Sequence, residues 1–344
     1  MRPEDNWRGW VRLSMALALG AALAGAGALA RGASGPAASP RPTSAGAAAR
    51  YRAFPVAPEI LFTPRDERSV SFTADGRTAF FTVRLAAEGY LQVICTSTLR
   101  EGHWSEPQVL PFSGGPAFDA DPFVTADGKT LYFASSRSPE GGETPGLDLW
   151  VAERDGAGWK PPRPLAGKAR GKGSARSPVL GRSGRLYFSS ARDGSNKLYY
   201  ADPTAGGFGE AMPLGEGLNG AGEAVGLAVD PAEDTLVFAA LGGADELLAP
   251  GQIYPRGDLY VSYRTSGVWS PARRLGEPIN SAAAEGSPSF SSDGRWLYFM
   301  SERGFATQQD IVLTYDALER GLAASLNGRG NLYRIDARVL EAYR

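Results

Sequence analysis

Glu67, Asp119, Asp121, Glu223 and Glu285, together with Arg137, Arg192 and Arg303, are the residues whose types and places in this chain could do chemistry. Two carboxyls about 5–5.5 Å apart would suit retaining glycoside hydrolysis, and about 6.5–9.5 Å would suit inversion. A carboxylate beside a guanidinium makes a charge-assisted hydrogen bond, which can hold a ligand or simply fasten two strands. Other chemistries are poorly supplied. The single histidine, His103, stands beside Trp104 in a polar stretch that reads as a loop, which excludes serine triads, HExxH zinc sites and histidine proton shuttles. No G-x-S-x-G nucleophile elbow occurs. The single cysteine, Cys95, excludes an internal disulfide framework and a cysteine-rich zinc cluster. No metal and no cofactor are expected.

These charges recur because the sequence around them recurs. "DADPFVTADGKTLYFASSR" from Asp119 is matched by "EGSPSFSSDGRWLYFMSER" from Glu285 and "ERSVSFTADGRTAFFTVRL" from Glu67. Degraded copies are "ARSPVLGRSGRLYFSSAR" from Ala175 and "EAVGLAVDPAEDTLVFAAL" from Glu223, the latter with a longer turn. Two apolar runs joined by Asp-Gly predict a β-hairpin, the pair supplying the positive φ angles of a tight turn. Both faces of "TLYFAS" are apolar, so the strands are expected to be buried on both sides. A third strand follows each hairpin, as in "LDLWVAE" (147–153) and "GDLYVSY" (257–263). An outer strand comes next, marked by the pairs Trp104/Leu110, Trp159/Leu165, Phe208/Leu214 and Trp269/Leu275. The three tryptophans read as packing between units rather than a sugar platform.

Units spaced by 52, 56, 48 and 62 residues describe an all-β chain, a five-bladed β-propeller of four-stranded antiparallel blades. The fifth unit lacks an outer strand of its own. "FPVAPEILF" (54–62) has the missing pattern and is predicted to pair with about 330–337, closing the ring. Six blades is the alternative if two units have been merged.

Aligned on the hairpin, Glu67, Asp119, Ala175, Glu223 and Glu285 start the innermost strands, and Asp121 lies two residues on. Four acids are thus expected around the mouth of the central channel, with Arg137, Arg192 and Arg303 ending second strands on the same face. The connections 138–146, 242–257 and 304–330 fall there too, the last with a short helix over "YDALERGLAASL". Long loops on one rim of a rigid scaffold are where binding usually lives. Asp119 with Arg137, and Glu285 with Arg303, recur at one offset, so they read as a ligand site or as fasteners of the innermost strand.

Ahead of the repeats, Arg2, Arg8 and Arg12 precede the apolar run 13–30, whose Ala24-Gly25-Ala26 and Ala28-Leu29-Ala30 suit signal-peptide cleavage. Residues 1–30 are read as a signal peptide or a membrane anchor, 31–53 as a flexible linker and 54–344 as the propeller. The body is expected in the periplasm or secreted, or else anchored to the inner membrane outside the cytoplasm. A net charge of −1 gives no footprint for nucleic acid.

"SPSFSSDGRWLYFMSERG" and "DADPFVTADGKTLYFASSR" resemble the TolB-like, WD-repeat-like β-propellers of bacterial exported proteins, over about residues 55 to 340. The resemblance implies binding of a protein, peptide or ligand in the cell envelope. The expected function is therefore a monomeric, non-catalytic envelope binding module whose partner is a protein or peptide, or a cell-wall glycan. The alternative is a glycan-active hydrolase using channel carboxylates.

Overall fold

Each repeated copy folds as an antiparallel hairpin whose turn is held by its own side chains. In blade 2 the strands Asp119–Val124 and Thr130–Arg137 flank a turn closed by Thr125 N–H to Thr130 O (2.9 Å) and Gly128 N–H to Thr125 O (2.8 Å). Thr125 Oγ1 and the Lys129 N–H both donate to Asp127 Oδ1, at 2.6 and 3.0 Å. Thr73–Asp75–Arg77 and Ser291–Asp293–Arg295 repeat the same bonds. Only the glycines have positive φ, 67°, 70° and 73° at Gly76, Gly128 and Gly294. The glycine thus supplies the positive φ expected of the Asp-Gly pair and the aspartate does not. The aspartate caps the turn through its carboxylate and stays out of the left-handed region.

The computed structural model describes residues 45–85, 91–140, 143–242, 257–304 and 314–344, all within one compact unit, Arg41–Arg344. The segment read as a leader (1–30), the segment read as a linker up to residue 44, residues 243–256 of the insertion 242–257 and residues 305–313 of the insertion 304–330 lie outside the described residues. The described end of the linker has structure: a helix, Ala45–Ala48, places Ala48 in the apolar core.

Five antiparallel sheets form five blades. The inner strands are Asp66–Phe72, Asp119–Val124, Ala175–Leu180, Glu223–Val229 and Glu285–Phe290. A second and a third strand follow in each blade, and the outermost strand is only two residues long, for example Gln108–Val109 or Arg163–Pro164. Such edges offer few unpaired backbone groups to another sheet. The short helix expected in the last insertion spans Tyr315–Ala323, capped by Thr314 Oγ1 accepting from Ala317 N–H at 3.2 Å. His103 lies in a small hairpin rather than a loop, paired with Arg100.

The ring closes between its ends. Phe54 and Pro55 pair antiparallel with Arg334 and Tyr333, and Val56 N–H donates to Leu332 O at 3.0 Å. The pairing is shorter than the sequence predicts, because Pro58 starts a helical turn, Pro58–Leu61, that buries Ile60 and Leu61 beneath the seam. Five blades, and not six, result.

Five apolar clusters each join neighbouring blades. Between blades 1 and 2, Phe80 and Ile94 meet Leu131 and Phe133, and Trp159 of blade 2 packs edge-on to Phe80 of blade 1 at 5.8 Å between ring centres. Trp104 and Trp269 pack against the clusters that join blades 5 to 1 and 3 to 4. Fully burying a leucine or phenylalanine contributes about 1.5–3 kcal/mol, so the blade interfaces dominate the stability of the ring. A final 3-10 helix, Ala337–Tyr343, covers the blade 4–5 interface with Val339, Leu340 and Tyr343. Among the described residues no helix is long and apolar enough to cross a membrane.

Candidate functional site

The inner strands surround an axial cavity and carry an irregularity that the hairpin pattern does not announce. In every blade the pairing of inner with second strand slips near its third residue. Four of these bulges hold a non-glycine residue in the left-handed region: Ser69 (φ 44°), Asp121 (53°), Ser177 (54°) and Ser287 (48°). Each such conformation costs about 1–3 kcal/mol unless its surroundings impose it. Blade 4 lacks the feature and offers Gly226 instead. The cavity has about 520 Å³ of empty space, its open mouth included, and is lined by Ser69, Asp121, Ser177 and Ser287 and, from blade 4, by Gly226 and Leu227.

Asp121 is fully engaged within the wall of that cavity. Its Oδ1 accepts from Ser69 Oγ at 2.8 Å, and its Oδ2 accepts from Arg176 Nε (3.0 Å), Ser177 Oγ (3.0 Å) and Ser177 N–H (3.2 Å). Its own N–H donates to Thr82 Oγ1 at 3.1 Å. One carboxylate of blade 2 thereby ties blade 1 to blade 3. Burial works against its charge, but the Arg176 guanidinium and the serine hydroxyls outweigh that and hold the carboxyl below its usual range. Asp121 in turn raises the pKa of Arg176. Further bonds continue this belt around the axis: Val124 N–H to Ser71 Oγ (3.0 Å) and Ser289 Oγ to Val70 O (2.6 Å).

The other acids are placed differently from the expected ring. Glu67, Asp119 and Glu285 are sealed, at 0, 0 and 1 % exposure, and none of them lines the cavity. Asp119 pairs with Arg137 at 2.7 Å. Glu285 accepts from Ser281 Oγ (2.6 Å), Ser301 Oγ (2.6 Å) and Arg303 NH2 (3.3 Å). Burial still pushes both carboxyls up. Glu67 has no ion pair among the described residues; Thr63 Oγ1 donates to its Oε1, its Oε2 has no partner, and burial raises its pKa to about 7. Glu223 is exposed and accepts from Asn196 Nδ2 at 3.1 Å. The cause is the bulge. Simple alternation would put Asp119 and Asp121 on one face, but the slip after Ala120 turns Asp121 to the axis and leaves Asp119 against Ser135 of the second strand.

Arg137, Arg192 and Arg303 are all half-buried; Arg137 ends its second strand as expected, whereas Arg192 and Arg303 lie two residues beyond theirs. Sequence reasoning missed Arg176, Ser69, Ser177 and Ser287. The signal was present in Asp121-Pro122, Ser177-Pro178 and Ser287-Pro288, one dipeptide at one repeat position. Among the described residues no group of three or more His, Cys, Asp or Glu could hold a metal ion.

Neither a family model nor a curated protein matches the chain in sequence. Among solved structures it is similar to a putative TolB from Agrobacterium tumefaciens, at 17 % identity over 73 % of each chain with a TM-score of 0.44. It is also similar to an α-L-arabinofuranosidase from Podospora anserina (12 %, 81 % of this chain and 98 % of that one, TM-score 0.42). A gluconolactonase from Xanthomonas campestris matches at 12 % identity over 86 % of this chain and 93 % of that one, TM-score 0.42. At these identities and TM-scores the neighbours carry no argument about this chain, and the chemistry of this propeller is read from its own residues.

Proposed function

We propose that the protein is a non-catalytic binding module of the cell envelope, working outside the cytoplasm, whose loop-bearing face receives a protein, a peptide or a cell-wall fragment. The observation that carries this reading is the state of Asp121. It is the one carboxylate lining the axial cavity among the described residues, and both its oxygens are occupied by blade-to-blade bonds. Glycoside hydrolysis would need a second carboxyl across the cavity, about 5–9.5 Å away, and a proton donor or nucleophile free of an arginine. Serines, prolines and apolar side chains stand there instead.

Variation between blades is concentrated in the connections from second to third strand, 138–146, 242–257 and 304–330. By antiparallel order these leave the blades at the end where the inner strands begin, on a scaffold that five apolar interfaces hold rigid. The test is capture from envelope extract by residues 45–344, compared with the same protein lacking 304–330, alongside incubation with cell-wall glycan. Partners retained by the intact domain should be lost on deletion, and no new reducing ends should form. Reducing-end release that Asp121→Asn abolishes would replace this reading with the hydrolase.

A further inference from the structure

Three arginines occupy one repeat position and are held alike. The N–H of Arg137, Arg192 and Arg303 donates to Ser135, Ser190 and Ser301 Oγ at 3.3, 3.3 and 3.1 Å. NH2 of each donates to a carbonyl of the connection leading into its blade: Phe112 O (2.9 Å), Ala169 O (2.7 Å) and Ile279 O. Each guanidinium lies over two rings, Phe133 and Trp150, Phe188 and Tyr199, and Phe299 and Tyr333. In blades 2 and 5 the residue paired with the serine is an acid, Asp119 or Glu285, and the ion pair forms. In blade 3 the residue paired with Ser190 is Ala175.

Arg192 therefore keeps the cradle without the acid that the other two blades build in. No carboxylate lies within 4.0 Å of it among the described residues. A guanidinium does not lose its proton to relieve this, so a half-buried positive charge persists; burial pushes its pKa down. The neighbouring connection leaves one flank of the group without a side chain. A Cβ at Gly171 would come within 3.3 Å of Arg192 NH1, and NH1 donates to no described acceptor. Lys172, exposed, lies in the chain between Gly171 and Gly173, both of which border Arg192.

We propose that Arg192, with Ser190 and Lys172, forms a binding site for a carboxylate supplied from outside the chain, carried by a small organic acid or by an acidic side chain of a bound peptide. The site lies on the loop-bearing face and rests on the binding reading of that face. It is nonetheless separable from the partner surface 304–330, which belongs to another blade.

The test is calorimetric titration of the domain, first with succinate and then with a short glutamate-rich peptide, with the Arg192 Nε resonance followed by NMR in the wild type, and the calorimetry repeated with Ala175→Asp and with Arg192→Gln. In the wild type the resonance should shift saturably with at least one probe, and which probe does so identifies the source of the carboxylate. Ala175→Asp should make the ion pair seen in blades 2 and 5, raise the melting temperature and weaken binding about tenfold or more, the size expected for losing hydrogen bonds to a charged group. Arg192→Gln serves as the control should the aspartate misfold, and it should abolish the heat of binding. No saturable shift with either probe, or unchanged affinity in both variants, would overturn the proposal. Binding lost in these variants while partner capture by 304–330 persists would leave the two sites distinct.

Discussion

Replacing Asp121 with alanine should destabilise the propeller by about 3 kcal/mol, the lower end of what breaking a buried ion pair costs. The lower end applies because the Arg176 side chain is 33 % exposed and water recovers part of its charge. The loss has several sources. Arg176 is left without its partner, and the Ser69 and Ser177 hydroxyls and the Ser177 N–H lose an acceptor where they converge. The left-handed backbone at Asp121 also loses the bonds that impose it. Urea unfolding of Asp121→Ala, Arg176→Met and the double variant measures the coupling. The double variant should recover much of the loss, since removing both charges leaves nothing stranded. The pH dependence has a definite sign. With its carboxyl held below 3.8, Asp121 contributes its full stabilisation above that value, and the contribution is lost as pH falls through the lower folded value. The gap between wild type and Asp121→Ala should close in acid. Additive single effects with no coupling would show that the three-blade clamp carries no load.

The second large effect has the opposite sign. Glu67→Gln should stabilise the protein at pH 8 and change little at pH 4.5. The folded protein raises the Glu67 carboxyl from 4.5 to about 7, because burial penalises the charge by more than the Thr63 hydrogen bonds and the Arg65 charge favour it. The folded state thus holds a proton that the unfolded chain has released. Stability contributed by Glu67 is greatest below pH 4.5, falls as pH rises from 4.5 to about 7 and is flat above. The difference is of order 3 kcal/mol, which corresponds to several degrees in melting temperature for a domain of this size. Glutamine keeps the shape and cannot ionise, so the slope between pH 5 and 7 should be shallower in the variant. Parallel melting profiles for the two proteins across that range would contradict the assignment. Glu67 also sits beside the closing seam, where its N–H donates to Gly330 O at 2.9 Å, so its ionisation loads the place where the ring is joined.

The blades were legible because a hairpin is a local object. Asp-Gly turns, doubly apolar strands and the aromatic–aliphatic offset of the outer strand lie within one unit, and the absent outer strand of the fifth unit pointed to Phe54 and Pro55 as its replacement. The axis was not legible to the same degree. Ser69, Asp121 and Arg176 are 52 and 55 residues apart, and only ring closure brings them together. Alignment of the units on the hairpin placed Glu67, Asp119 and Glu285 at the channel mouth, but it carries no information on the bulge that decides which side chains face the axis. The repeated Asp-Pro and Ser-Pro pairs were the visible trace of that bulge. Their meaning depends on φ angles that the residue types alone disfavour. Glu233 shows the same limit from the other side. The longer turn of the fourth unit hid an acid whose Oε1 accepts from Ser183 N–H at 2.6 Å in blade 3, where the usual turn aspartate is replaced by serine.

Hydrogen exchange of the domain with and without its captured envelope partner tests most directly whether the loop-bearing face is the working surface. Protection is expected around 138–146, 168–174 and 314–330, with the turns at 73–77, 125–129 and 291–295 unchanged. Protection confined to those turns, on the opposite face of the blades, would contradict it.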